Sequence, residues 1–598
     1  YPAFAMAGLL PGFTVGPDGF LEYQPVDVPP ASGLPPLNGI GSVIGLSVPG
    51  LGQFLSWGGG TAQQNQLELR ETFARTVGRH QFRAGGDYVR LTPSRGSPTY
   101  AVLGAASSLE DLIEGRPLAV ISSSPAQNGG RIHQVSVFAQ DTFRVSERLS
   151  LLYGLGWSIT PPTATELPIP TVSGLWTGSD WQNTYTGGIN GAGPWPMRYG
   201  QVAPRLGLAY RFPVGGLVLR AGAGTFYDAA LGAAVNPING APFNSWLLAA
   251  GGSGVDTSTG PSDGMGQSHG SGAPDVQRFL TGAYPSLKLP TSYQWRVSVE
   301  RNLGSRGAGS IAYLGAMGRN LLGHQAYVDP ATGVVQRMVT LTANSSNYQA
   351  LQMRYSGSLL RNFYGSVSYT WAHSIDDGSQ DSSVFLVHPG YRLSEARGSS
   401  SFDVRHALTV AWSYRMPQLG PSSRLSPWLG GWTLSGTLRA RTGFPIDVLV
   451  NDQPLGQGFD NVGRPNRVPG VPVWIADPAV AGHRRLNPAA FSRPAAGMQG
   501  TLGRNVITGN GLVQLDMSLR REFAIFRRIS GEIGLNVFNV LNHPAFADPV
   551  PFLASPWFGQ STSMQNLMFG SGSPNTGMPP LFQTGGARSA EFSFRIAF

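Results

Sequence analysis

The chain has 598 residues and a formal net charge of +9; 13% of its residues are charged, 10% are aromatic and none is cysteine. Few charges and many aromatic residues exclude a disordered chain, and the lack of cysteine excludes disulfides and thiolate metal sites. The single lysine, Lys288, leaves arginine as almost the whole basic content, and these arginines are scattered rather than clustered, which argues against nucleic-acid binding.

The beginning of the sequence carries few structural signals. Residues 1–39 are Pro-rich, and we expect an irregular leading segment without a plug-sized domain. Tyr1 is not followed by a basic region and an apolar stretch, so we expect that a signal peptide was removed or that the sequence is a fragment. No run approaches the ~18 consecutive apolar residues of a transmembrane helix. Insertion into a membrane would therefore have to use strands.

Strand patterns recur from residue 40 to the end of the chain, and no long segment has helical periodicity. A first strand is predicted near 40–57 and a last one near 590–598. Between them we predict seven hairpins, at 66–77 with 80–90, 132–143 with 149–158, 200–212 with 216–227, 290–302 with 308–316, 347–356 with 362–372, 402–414 with 428–442, and 512–523 with 531–541. These segments amount to about 16 strands.

Apolar and polar residues alternate within these segments. At the carboxy-terminal end, Phe592, Phe594, Ile596 and Phe598 share one face of a strand, and the residues between them share the other. The alternating runs are about 9–13 residues long, closer to the ~9–11 residues of a tilted membrane-spanning strand than to the ~5–6 of a globular strand. Length and alternation together indicate a transmembrane β-barrel.

The connections between the predicted strands alternate in length. Short links join the two strands of a hairpin, and long stretches rich in Gly, Ser, Pro and Asn separate the hairpins. The predicted long loops are 159–199, 228–289, 317–346, 373–401, 443–511 and 542–590. Short turns at one rim and long loops at the other are typical of bacterial outer-membrane barrels. We therefore predict an all-β, antiparallel transmembrane β-barrel over residues 40–598.

Several short segments carry a resemblance to a known family. They occur in one order along the chain: Val137-Phe138-Ala139-Gln140-Asp141, Ala203-Pro204-Arg205-Leu206-Gly207, Tyr369-Thr370-Trp371-Ala372-His373-Ser374-Ile375-Asp376-Asp377, Asp403-Val404-Arg405-His406, Gly430-Gly431-Trp432, Leu486-Asn487-Pro488-Ala489-Ala490-Phe491, Gly503-Arg504-Asn505 and Phe538-Asn539-Val540-Leu541-Asn542-His543-Pro544. This ordered set resembles the TonB-dependent outer-membrane receptors, specifically their Oar-like branch, over roughly residues 66–598.

The resemblance implies active uptake across the bacterial outer membrane, energised by the TonB complex. It also implies a plug inside the barrel and a TonB-contacting box before the plug, and neither feature is recognisable in this sequence. About 16 strands suit an open porin, whereas about 22 suit a plugged transporter. We therefore expect the visible strands to be part of a 22-stranded barrel whose amino-terminal third is missing from the sequence.

Six charged residues on the polar stripes are candidate ligand contacts in the barrel lumen: Arg205, Arg220, Arg296, Glu300, Arg354 and Arg439. An arginine-rich lumen would attract anionic or carboxylate-bearing solutes, because guanidinium groups form paired hydrogen bonds with carboxylates. The alternative is that these arginines form salt bridges with plug residues or with each other across the wall, and the sequence favours this alternative.

A second set of residues is predicted to form the aromatic girdles at the membrane interface: Trp157, Trp295, Trp371, Trp412, Trp432 and Phe598. Their positions on the apolar stripes favour a girdle over sugar stacking at the mouth of the barrel.

No candidate for catalysis, cofactor binding or metal binding emerges. Gly222-x-Gly224 lies within a strand and no helix follows, so it is not a dinucleotide fingerprint. The acidic segment Ser374–Asp381 does not match the spacing of an EF-hand, and we expect a solvated loop turn there. The nine histidines lack metal-ligand spacing.

The sequence therefore predicts a TonB-dependent receptor of the outer membrane that imports an unidentified bulky solute. Its expected partners are outer-membrane lipid and, if an upstream plug and TonB box exist, the TonB complex. The alternatives are a passive, porin-like pore and a structural or adhesive surface protein that uses the barrel as an anchor. A secreted β-rich enzyme is a further alternative, and it would remain soluble without detergent.

Overall fold

The structure is a computed structural model. It describes residues 13–15, 21–23, 42–48, 52–57, 61–96, 100–105, 118–123, 127–162, 164–165, 197, 199–228, 245–249, 280–283, 287–328, 335–379, 384–387, 393–417, 430–450, 463–495, 498–526, 529–565 and 584–597. Phe598, which we predict to belong to an aromatic girdle, lies outside these residues, as does most of the leading segment 1–39.

Fifteen long strands form the wall of a barrel. They are β1 (Thr61–Val77), β2 (His80–Gly96), β3 (Gln127–Arg144), β4 (Leu149–Ile159), β5 (Gln201–Arg211), β6 (Leu217–Tyr227), β7 (Thr291–Asn302), β8 (Ala308–Val328), β9 (Val335–Leu360), β10 (Phe363–Asp376), β11 (His406–Arg415), β12 (Trp432–Arg441), β13 (Leu512–Phe526), β14 (Ile529–Phe538) and β15 (Ser589–Ala597). Each pairs antiparallel with the next from β1 to β15. The predicted antiparallel barrel is confirmed.

Four short strands join the same sheet, at Ala164–Thr165, Leu280–Ala283, Val384–Val387 and Gly398–Ser399. The first predicted strand, near 40–57, is not part of the wall. Ser42–Val48 and Gly52–Trp57 instead pair with each other in a separate five-stranded sheet. Within the leading segment, Phe13–Val15 pairs with Leu21–Tyr23.

The wall strands are connected alternately at two rims. At one rim, which we call the short-turn rim, the connections are 78–79, 145–148, 212–216, 303–307, 361–362, 416–431 and 527–528. The opposite, long-loop rim carries connections such as 160–200 and 442–511. Alternating lengths are thus confirmed, with one correction. The predicted loop 317–346 is largely strand, because β8 and β9 extend to 21 and 26 residues and leave only 329–334 between them.

Strand pairing sorts the side chains of the wall onto two faces. Trp157 lies opposite Val137 on one side and Val202 on the other, and these apolar residues share one face. Arg205 lies opposite Gly154 and Gly224 on the other face. Because side chains alternate with period 2, the apolar face is continuous around the wall. It is the face that lipid contacts, and the polar face lines the lumen.

Two tryptophans on the apolar face lie flat over glycines of the neighbouring strand. Trp295 is opposite Gly315, and Trp412 is opposite Gly436. A Cβ atom at either glycine would overlap the indole ring. The glycines therefore provide the space in which each ring covers the adjacent strand.

We expect Gly315→Val to destabilise the folded barrel by about 1–3 kcal/mol, because the added side chain displaces Trp295 from a well-packed position. Denaturant unfolding in detergent micelles measures this change. Gly309→Val on the same face of β8 is the matched control, since a Cβ there meets only a carbonyl oxygen at 3.7 Å. Equal losses in the two variants would contradict the proposed role of Gly315.

At the long-loop rim, the described residues of 442–511 and 539–565 fold together into a cap. Leu449 exchanges backbone hydrogen bonds with Pro551 and Leu553, at 3.0 and 2.9 Å. The cap has its own small hydrophobic core, composed of Ile446, Val448, Leu486, Ala490, Phe491, Leu502, Ile507 and Phe558. Burial of these side chains gives the cap a fixed structure of its own.

Candidate functional site

All six predicted lumen contacts lie on the polar face of the wall. Strand pairing places each of them opposite other residues of that face, as for Arg220 beside Ser298 and Arg354 beside Ser310. The pairing does not test whether they bind a solute, so their role as ligand contacts stays a prediction.

Three of the six residues take part in ion pairs within the wall. Arg220 Nε lies 3.2 Å from a carboxylate oxygen of Glu300, which is on the neighbouring strand two residues beyond the position opposite Arg220. Arg439 Nη1 lies 2.8 Å from Asp516 on the next strand. These pairs follow the alternative that the sequence favours, in which the charges neutralise each other across the wall.

The other three arginines, Arg205, Arg296 and Arg354, are exposed. None of them forms an ion pair with a carboxylate among the described residues. The guanidinium carbon of Arg205 lies 5.2 Å from the ring centre of Phe226, a cation–π contact that holds the side chain against the wall.

Arg205 and Arg296 flank the glycine-lined polar face of β6. Arg205 is opposite Gly224, and Arg296 is opposite Gly222. With neighbouring strands ~4.8 Å apart, the two arginines are separated by about 10 Å across the strands. Gly222 leaves open space on this face, whereas the Phe226 ring and the Arg205 side chain lie over Gly224. We call this set (Arg205, Gly222, Gly224, Phe226 and Arg296) the lumen arginine patch.

A polar cavity of about 370 Å³ lies at the long-loop ends of β5 to β8. Its lining includes Lys288, Tyr199, Tyr227 and Gln201. The Gln201 side chain is buried, and its amide nitrogen has no hydrogen-bond partner in the described part of the chain. The cavity adds a second set of hydrogen-bond donors near the mouth of the barrel.

The cap is joined to the connection between β10 and β11 by a buried ion pair. Arg504 of the cap lies 2.8 Å from the carboxylate of Asp376, and both side chains are almost fully buried. The same guanidinium donates hydrogen bonds to the carbonyl of Ala396 at 3.1 Å and to the Ser379 hydroxyl at 2.8 Å. We call the Arg504–Asp376 pair with these bonds the clasp.

Two neighbouring contacts reinforce the clasp. The fully buried Arg464 pairs with Asp447 at 2.9 Å and donates to the carbonyl of Glu395 at 3.3 Å. Asn505 donates to the carbonyl of Ser399 at 2.7 Å. The cap is therefore fixed to the β10–β11 connection at three points.

The clasp corrects one sequence-based expectation. Asp376 belongs to the acidic segment that we expect to be a solvated turn, but its side chain is 3% exposed and accepts a hydrogen bond from Arg504. The structure contains no group of three or more metal-ligating side chains within the residues that it describes. No helix in the described regions is long and apolar enough to span a membrane.

The five described tryptophans of the predicted girdle all project from the apolar face. Trp432 begins β12, and Trp412 lies three positions before the end of β11, both near the short-turn rim. Trp157 and Trp371 lie eight positions beyond the starts of β4 and β10, and Trp295 is at a comparable level in β7. Their positions thus fall at two levels of the wall.

Sequence reasoning misses three features of these sites: the ion pair of Arg504 with Asp376, the contact of Arg205 with Phe226, and the open space over Gly222. The motifs Gly503-Arg504-Asn505 and Tyr369–Asp377 carry the first signal, since both belong to the set that resembles a receptor family. Nothing in either motif alone indicates that they meet in space.

Comparison with solved structures finds outer-membrane receptors and transporters. The outer membrane transporter YddB from Escherichia coli is 10% identical, with 93% of this chain and 57% of that chain covered and a TM-score of 0.46. The siderophore receptor PiuA from Acinetobacter baumannii is 8% identical, with coverages of 90% and 56% and a TM-score of 0.43. The chain thus spans a little over half the length of these proteins.

No curated protein matches the chain. A family model does: residues 16–568 match the model described as "Outer membrane beta barrel domain". That span includes fourteen of the fifteen wall strands, with their apolar face toward lipid and their alternation of short turns and long loops. The chain accordingly belongs to the outer membrane beta barrel domain family, and its place is the bacterial outer membrane.

Proposed function

We propose that this chain is the barrel of a TonB-dependent receptor that imports a bulky anionic solute across the outer membrane. The observation that carries the proposal is the lumen arginine patch, where Arg205 and Arg296 face the lumen and have no carboxylate partner among the described residues. Such a patch presents two guanidinium groups to any solute that enters.

The electrostatics of the patch favour an anion. Two like charges on adjoining parts of one wall repel each other, and a carboxylate-bearing solute between them would relieve this repulsion. Guanidinium groups form paired, charge-assisted hydrogen bonds with carboxylates. Glycine at position 222 would let the solute approach the wall closely, since it projects no side chain and only a backbone carbonyl lies near the position of a Cβ.

The cap supports a capture step at the outer surface. It is a folded unit with its own core, and the clasp fixes it to the β10–β11 connection at the long-loop rim. In the proposed mechanism, cap and loops bind the solute first. The lumen arginine patch then receives it, and energy from the TonB complex drives its release into the periplasm.

Uptake of carboxylate-bearing solutes by cells that express the full natural protein tests the proposal. We expect accumulation above the external concentration only when the TonB complex is active. Substituting both patch arginines (Arg205→Gln with Arg296→Gln) should lower uptake by about tenfold or more, because each charge-assisted hydrogen bond contributes about 1.5–3 kcal/mol.

A double variant at the long-loop rim, Arg131→Gln with Arg588→Gln, removes the same charge and should leave uptake unchanged. Entry that is independent of TonB and never exceeds the external concentration would replace the proposal with a passive pore. Absence of solute entry, together with retained binding of other cells or proteins at the surface, would indicate a structural or adhesive role.

A further inference from the structure

The short-turn rim has a pronounced excess of arginine. Its described residues are the short connections and the strand residue on either side of each connection. Seven arginines occur there: Arg79, Arg144, Arg148, Arg211, Arg306, Arg361 and Arg415. Glu147 is the one acidic residue among the same described positions. The rim is therefore strongly cationic around its circumference.

These seven arginines are exposed. None of them forms an ion pair with a carboxylate in the part of the chain that the structure describes. The contact that Arg79 makes is a hydrogen bond of 3.1 Å to the backbone carbonyl of Val145. Arg79, Arg148, Arg306 and Arg361 lie in the connections themselves, and their charge is available to an external anion. Strand pairing puts Arg144, Arg211 and Arg415 on the polar, lumen-facing side of the wall.

The long-loop side of the molecule is organised differently. There, five arginines are paired with carboxylates: Arg397 with Asp377, Arg405 with Asp403, Arg464 with Asp447, Arg485 with Asp477, and Arg504 with Asp376. Internal neutralisation of arginine is therefore common in this protein, and the short-turn rim departs from it.

Exposed apolar residues stand beside the rim arginines. Val214 is 82% exposed in the connection that follows Arg211, and Leu360 is 73% exposed next to Arg361. Leu303 is 40% exposed in the connection that contains Arg306. Apolar side chains next to cationic ones are typical of surfaces that enter the boundary between lipid headgroups and acyl chains.

We propose that the short-turn rim binds the phosphate groups of anionic phospholipids in the periplasmic leaflet of the outer membrane. Short turns face the periplasm in bacterial barrels, so the rim lies at the level of these headgroups. Guanidinium groups bind phosphate through paired hydrogen bonds. The neighbouring apolar residues enter the leaflet. Binding of a soluble acidic protein would not need these exposed apolar side chains, so they favour a lipid partner.

Titration of the purified, delipidated full-length protein with phosphatidylglycerol and, separately, with phosphatidylcholine of the same acyl chains tests this proposal. The wild-type protein should bind phosphatidylglycerol about tenfold more tightly, since each arginine near an anionic surface adds appreciably to the attraction. The triple variant Arg148→Gln, Arg306→Gln and Arg361→Gln should lose most of this preference. Added salt should weaken it as well.

The control triple variant, Arg90→Gln, Arg131→Gln and Arg588→Gln, removes the same charge from the long-loop side and should keep the preference. The triple Arg-to-Lys variant at the rim keeps the charge and should retain most of the preference. This result would show that the glutamine variant loses binding through its charge and not through misfolding. Equal preference in rim and control variants would overturn the proposal. A glutamine variant at the rim that keeps its preference for phosphatidylglycerol and loses only its binding of polyglutamate, a mimic of an acidic protein, would also overturn the proposal. That result would point to an acidic protein partner.

Discussion

Replacing Arg504 with alanine should destabilise the attachment of the cap by about 3–5 kcal/mol, the usual cost of removing one partner from a buried ion pair. The carboxylate of Asp376, whose side chain is 3% exposed, would lose its cation. It also removes the donors to the carbonyl of Ala396 and to the Ser379 hydroxyl. Limited proteolysis and hydrogen exchange over 376–403 and 498–507 should detect the release of the cap.

The barrel wall should remain folded in this variant, because Arg504 lies outside the strand ladders and Asp376 is the last residue of β10. Arg397→Ala is the matched control: its pair with Asp377 is also 2.8 Å long, but 40% of the arginine side chain is exposed. Surface pairs of this kind contribute about 0–1 kcal/mol. Proteolysis of Arg504→Ala no faster than that of Arg397→Ala would contradict a supporting role for the clasp.

A second comparison isolates the pair itself. Asp376→Ala combined with Arg504→Ala removes both charges, and the double variant should lose less stability than the sum of the two single variants. This is expected because much of the cost of a single substitution is the remaining buried charge. Additive losses would mean that the two residues act independently.

The fold could be predicted well because its signals are local. Alternation with period 2 assigns each residue to a face without knowledge of its partner strand, and Phe592, Phe594 and Ile596 do share the apolar face. Connection length likewise follows from residue types at the turns. The error near 40–57 has the same origin, since a local strand pattern does not reveal which sheet the strand joins.

The sites could be predicted only in part, because their chemistry depends on contacts between distant residues. Alternation places Arg220 and Arg296 on the same polar face. Pairing of strands puts a carboxylate beside Arg220, but no described carboxylate beside Arg296. Arg504 and Asp376 are 128 residues apart in sequence. Their contact depends on how the cap packs against the β10–β11 connection, and no sequence motif predicts this packing.

Acidification from pH 7.5 to pH 4.5 should stabilise the cap through Asp548. Burial raises the pKa of this carboxyl to about 6. Two effects oppose the rise: the backbone N–H of Asn510 donates a hydrogen bond of 3.0 Å to the carboxylate, and Arg441 is positively charged. In the unfolded chain an aspartate has a pKa of about 3.9. The folded cap therefore holds the proton more tightly than the unfolded chain.

The sign of the pH effect follows from this difference. A pKa that is raised by folding contributes stability that is complete below the unfolded pKa and is lost as the pH rises through about 6. At about 1.4 kcal/mol per pKa unit, the contribution lost by neutral pH is about 3 kcal/mol. We therefore expect the protease resistance of the cap to fall as the pH rises from 4.5 to 7.5.

Substituting Asp548 with asparagine removes the titrating group and keeps an oxygen for the Asn510 amide. The variant should be more stable than wild type at pH 7.5, and its pH dependence should be flatter. Asp477→Asn, elsewhere in the cap, should leave the wild-type profile unchanged. If Asp548→Asn retains the full pH dependence, another group controls it. If it flattens the profile, the half-buried carboxyl of Asp548 makes the stability of the cap sensitive to external acidity.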